Sequence, residues 1–181
     1  KLMVAGYSLT MRQPSLRVLV EFEASLQAGS HTPKENLRRV FERAVGNFSA
    51  ENALPENTAF AMARLLGDVT TILLEATGYP ILSRPQVIGK DADGSVLLVL
   101  PCIQDAQGQT NAALEWAIGL ANDCLRGSDT AKWFADLPQL KSSLQRLAPK
   151  GQNVVPLLKG ASLLNIPWNR VSDTTFQLGW G

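Results

Sequence analysis

Residues Ser95–Pro101 read SVLLVLP, apolar almost throughout. A strand with one wet face alternates apolar and polar side chains, whereas a strand without alternation needs cover on both faces. The run therefore predicts a central strand in a layered domain, and the rest of the chain must supply its neighbours and its cover. One neighbour is close at hand: Ile81–Lys90 leads into Asp91-Ala92-Asp93-Gly94, a turn sequence that makes a hairpin with Ser95–Pro101. Leu16–Glu23 offers another. Leu16, Val18, Val20 and Phe22 point one way and Arg17, Glu21 and Glu23 the other, the period of a strand with one wet face. Lys1–Tyr7 reads as a short first strand, Met11–Ser15 with Pro14 as a loop, and Ala28–His31 as a turn.

Helical segments supply the cover. Thr32-Pro33-Lys34-Glu35 is a capping box with proline in the first turn. Behind it Leu37, Val40, Phe41, Ala44, Val45 and Phe48 form one apolar stripe, with Arg38, Arg39, Glu42 and Arg43 elsewhere on the surface. After a loop at Ser49–Asn57, a second helix spans Thr58–Thr77 and stops at Gly78. Met62, Leu65, Leu66, Val69, Ile72, Leu73 and Ala76 make its buried face; Arg64, Asp68, Thr71 and Glu75 fall on the opposite stripe. Following a polar loop at Asp105–Gln109, Thr110 caps a helix running to Arg126, with Gly127 ending it. Thr130–Ala148 is helical but interrupted by Pro138, and Val154–Leu164 is a last short helix.

The order β-β-α-α-β-β-α-α-α-β-β, with strands in hairpin pairs, implies an α+β fold: an antiparallel or mixed sheet of four to six strands with helices packed on it. At 181 residues and 45% apolar content the chain suits one domain with a real core. A net charge of +1 gives no global field for nucleic acid or an anionic membrane. No window approaches the ~18 apolar residues of a membrane span. With no visible signal peptide, a cytoplasmic protein is the simplest reading. Cys102 and Cys124 read as reduced core thiols, not a disulfide framework.

The closing stretch Lys159–Gly181 says most about identity. Asn165 tolerates a left-handed cap and Pro167 cannot continue a helix, so the last helix ends there. Trp168–Val171 and Phe176–Leu178 are two short strands around Ser172, Asp173 and Thr174. Ile166-Pro167-Trp168-x-Arg170-Val171, followed by Phe176-Gln177-Leu178-Gly179-Trp180-Gly181, resembles the junction in cyanophycin synthetases and their relatives. There an N-terminal domain runs into an ATP-grasp ligase module through a G-I-P-W-x-R-L segment and an L-x-Q-L-G-x-G strand. Upstream the resemblance rests on the order of elements and a few positions. It implies an N-terminal domain over residues 1–159, and over 160–181 the junction and first strands of an ATP-grasp module. The whole protein would use ATP and Mg²⁺ to activate a carboxylate as an acyl phosphate and form an amide bond.

The residues of this chain carry none of that chemistry. Neither GxxxxGK[ST] nor GxGxxG is present. Many cyanophycin synthetases carry H-x-x-E-H on the helix that corresponds to Thr58–Thr77, and that spacing can hold zinc beside a general base. Here the motif falls on Arg64, Leu65, Leu66, Gly67 and Asp68, which offer no metal site; Arg64 and Asp68 suit an i, i+4 ion pair. His31, the one histidine, stands in a turn with no Ser or Cys arrangement beside it.

The resemblance assigns the N-terminal domain to holding the growing aspartate–arginine polymer near the ligase sites. Arg38, Arg39, Arg43, Arg64 and Arg84 could grip its carboxylates by bidentate pairing; solvated helix faces beside Glu35, Glu42 and Asp68 are the plainer account. Leu82-Ser83-Arg84 stands where the family has an F-G-R turn, without its phenylalanine and glycine. Trp168, Arg170 and Trp180 read as an inter-domain contact, exposed in an isolated domain. The expectation is a non-catalytic accessory domain whose partners are its own C-terminal ATP-grasp module and the polymer, with no cofactor in this stretch, no nucleic acid and no membrane. A homo-oligomer stays open. The alternative is a stand-alone protein–protein interaction or scaffold domain; a degenerate hydrolase is disfavoured by the missing histidines.

Overall fold

The computed structural model describes residues 3–7, 11, 13–22, 31–46, 58–78, 80–90, 95–103, 106–172 and 174–179. The turns expected at 28–30 and 91–94, the loop at 49–57, and Phe48, Asp173 and Trp180 lie outside them. The elements follow the expected order: β1 (Met3–Tyr7), β2 (Pro14–Val20), α1 (His31–Val45), α2 (Thr58–Glu75), β3 (Gln86–Lys90), β4 (Val96–Pro101), α3 (Gln107–Leu125), α4 (Ala131–Gln145), α5 (Val154–Leu163), β5 (Trp168–Arg170) and β6 (Phe176–Leu178). The fold is α+β. β1 to β4 form one antiparallel sheet in the order β1-β2-β4-β3, and β5 and β6 a second, two-stranded one.

β4 is an inner strand, held by β2 on one side and β3 on the other. The pairs Leu16↔Leu100, Val18↔Leu98 and Val20↔Val96 bring the buried side chains of β2 and β4 together on one face. On the opposite face Arg17 is exposed while its partner Val99 is buried. Gln13 ties the sheet to its surroundings, donating from Nε2 to the Cys102 carbonyl and accepting from the Leu82 N–H.

α2 packs on β3 and β4, and α1, α3 and α4 pack on α2. Sandwiched in this way, α2 is buried around more of its circumference than one apolar stripe would give. Ala59, Ala61, Ala63, Thr70 and Leu74 join Met62, Leu65, Leu66, Val69 and Leu73 inside, whereas Ala76 is exposed. Thr70 and Thr71 are accommodated in the interior by returning their hydroxyl protons to the Leu66 and Gly67 carbonyls. Gly67 leaves no room for a side chain against Pro85 and β4. A Cβ there would stand 2.7 Å from Pro85 Cβ and 3.2 Å from Leu98 Cδ1.

Several local expectations need correction. α1 begins at His31, which is its first residue and not part of a turn. β2 starts at Pro14 and ends at Val20, leaving Phe22 half-buried beyond it. The loop expected to run to Gln109 turns helical at Gln107, so Thr110 lies inside α3. It is fully buried, donates to the Ala106 carbonyl and sits 3.4 Å from Cys102 Sγ; the threonine packs where a cap was expected because Ala106 takes the N-cap position. α4 runs through Pro138 without interruption, with the proline on its exposed side, where water can reach backbone groups the ring leaves unpaired.

α3 and α4 are locked at one point. Trp133 lies over Gly119, where a Cβ would come within 2.1 Å of the ring. The Trp133 Nε1–H donates to Asp123 Oδ2 (2.7 Å), and the Trp116 Nε1–H donates to the Trp133 carbonyl (2.8 Å). Lys132 completes the clamp, with Nζ 2.9 Å from Asp123 Oδ2 and 4.9 Å from the Trp133 ring centre. Hydrogen bonds from Trp133 and Lys132 hold the Asp123 carboxyl below its ordinary value.

Candidate functional site

Two features stand outside the main core. The first is the polar stripe of α2. Arg64 and Asp68 form the expected i, i+4 pair, Nε to Oδ1 at 3.5 Å, although Nε is shielded from solvent and makes no hydrogen bond. Burial raises the Asp68 carboxyl above its ordinary value, against the pull of Arg64 and Arg84. Burial also raises Glu75, against Lys159 of α5 and again Arg84. Arg84, in the segment before β3, thus acts electrostatically on both carboxylates. Charges of both signs therefore influence one another here: Arg64, Asp68, Arg84, Glu75 and Lys159.

The five arginines singled out from the sequence therefore divide. Arg64 pairs with Asp68, and Arg84 acts on the same carboxyl electrostatically. Arg38, Arg39 and Arg43 do not enter the surroundings of Asp68 or Glu75. Arg38 pairs with Glu42 at 2.9 Å, Arg43 places its guanidinium 4.8 Å from the Phe134 ring centre and so fastens α1 to α4, and Arg39 is exposed. The sequence does not single out Asp68, Glu75 and Lys159 as neighbours of Arg84. Their spacing on α2 was visible in the sequence, but the approach of Arg84 and Lys159 was not.

Gly67 faces Pro85, which stands just before β3, and Leu98 of β4. Among the described residues no three His, Cys, Asp or Glu side chains converge as a metal-binding group. Cys102 and Cys124 are free thiols, both raised above their ordinary values by burial. Among the described residues no helix is long and apolar enough to cross a membrane.

The second feature is the C-terminal arm. α5 ends in a double cap: the Asn165 N–H donates to the Ser162 carbonyl (3.1 Å) and the Ile166 N–H to the Ala161 carbonyl (2.8 Å). Asn165 takes φ 57°, the left-handed conformation expected of it. The chain then turns into β5, and the 159/160 boundary falls within α5. Trp168 is half-buried, not exposed. It packs on the main core, meets Phe176 edge-on at 6.2 Å, and its Nε1–H donates to Ser162 Oγ (2.9 Å), which donates to the Leu158 carbonyl (2.7 Å). Arg170, also half-buried, donates from Nε to the Ser172 carbonyl at 3.3 Å.

With Trp168 turned inward, the arm still exposes six large aliphatic side chains among its polar ones. Leu157, Leu163, Leu164, Ile166, Val171 and Leu178 are exposed, Leu163 by 82% and Leu164 by 73%. Elsewhere among the described residues the one comparably exposed large apolar side chain is Ile88. The sequence signal for this exposure is the Leu163-Leu164-Asn165-Ile166 run, in which apolar residues flank a helix stop, and not the tryptophans.

No family model and no curated protein matches this chain.

Proposed function

We propose that this is a non-catalytic accessory domain of a cyanophycin synthetase-like, ATP-dependent amide ligase. It docks through its C-terminal arm on an ATP-grasp module and positions the peptide polymer. The observation that carries the reading is the concentration of exposed aliphatic side chains on α5, β5 and β6. Exposed apolar surface gathered in one place marks an interaction site, whereas scattered exposure does not. The arm is also the stretch with the ligase-junction resemblance, so two independent features fall on the same residues.

The polymer role is supported by the charges of both signs that act on one another around α2. A polymer of aspartate bearing arginine presents both signs along its length, and Arg64, Asp68, Arg84, Glu75 and Lys159 present the complement of each. ATP and Mg²⁺ would act in the ligase module.

The test is titration of the 181-residue chain with short aspartate–arginine oligomers at low and high salt. Saturable, salt-sensitive binding that Arg64→Gln or Arg84→Gln weakens is the expected result; no binding at millimolar oligomer removes the polymer role. Docking is tested on the chain extended by the coding sequence that follows Gly181. Protection of the amides of residues 163–178 against hydrogen exchange, gained in the longer chain, is expected. An arm left as exposed in the longer chain favours the scaffold reading.

A further inference from the structure

We draw no further inference here: the strongest candidate, the cleft of about 280 Å³ between the end of β2, α2 and the C-terminal half of α3, is walled by Phe22, Met62, Leu66, Ile118 and Leu125, and nothing in the structure shows what covers it.

Discussion

The sheet with its helices and the C-terminal arm spend their apolar residues in opposite ways. In the first region nearly every large apolar side chain on α2, β4 and α3 faces inward, including Leu73, Leu98, Leu100, Leu114 and Leu120. In the second, α5 buries only Leu158 and Ala161, and the leucines at its end stand in water. The two regions do not differ in regularity. The arm has an ordered helix stop, a paired hairpin and a tryptophan anchor. What it lacks is cover. Side chains left in water contribute little to the stability of the domain itself, however ordered the backbone beneath them.

Substitutions should separate the regions by the size of their effect. The largest belongs to β4. Leu98→Ala removes a fully buried side chain between β2, β3 and α2 and should cost about 2–5 kcal/mol in urea unfolding. A cost under half of that would mean the sheet face is not packed as described. Next comes the α3–α4 lock. Gly119→Ala forces the Trp133 ring aside and should cost about 1–3 kcal/mol, with an altered near-UV tryptophan signal; a silent substitution would show that the clamp is loose.

In the arm the expected costs fall. Trp168→Phe keeps an aromatic contact but loses the donor to Ser162, worth about 0.5–1.5 kcal/mol. That loss should appear as faster hydrogen exchange in β5 and β6, with little change in global unfolding. Exchange that quickens throughout the molecule would merge arm and core into one cooperative unit. Leu163→Ser with Leu164→Ser should shift stability by no more than about 0.5 kcal/mol each. A cooperative loss of the fold there would overturn the idea that the outward leucines await a partner.

The two regions of charge should also answer pH in opposite directions. Asp68 and Glu75 are raised by burial, so the folded state binds their protons more tightly than the unfolded chain does. Their contribution to stability is present below the ordinary carboxylate range and is lost as pH rises through the raised values. Asp123 is lowered by its hydrogen bonds from Trp133 and Lys132, so its contribution is present above the ordinary range and is lost as pH falls. Relative to the unsubstituted chain, Asp68→Asn should therefore improve from pH 3 to pH 7, and Asp123→Asn should worsen. Urea melts of both at the two pH values decide it, and parallel trends would remove the distinction.

Local pattern was enough to write the elements in order. Alternation marked β2, the apolar run marked β4, and the Leu37, Phe41, Ala44 stripe marked the buried side of α1. Asn165 and Pro167 set the end of α5, because backbone conformation at a helix stop depends on few residues. The sequence also located the pair Arg64–Asp68, since i, i+4 neighbours on a helix are fixed by its pitch.

Everything that required two distant segments to meet was decided by the tertiary structure. Thr110 looks like a cap until the packing of Cys102 places it inside α3. Pro138 looks like a break until the exposed side of α4 accommodates it. Gly67 and Gly119 are silent letters whose meaning comes from Pro85 and Trp133. The approach of Arg84 to Asp68 and Glu75, the cleft between β2, α2 and α3, and the inward turn of Trp168 are of the same kind. Periodicity reports which side of an element avoids water; it does not report which other element provides the shelter, because that choice depends on contacts between residues far apart in the chain.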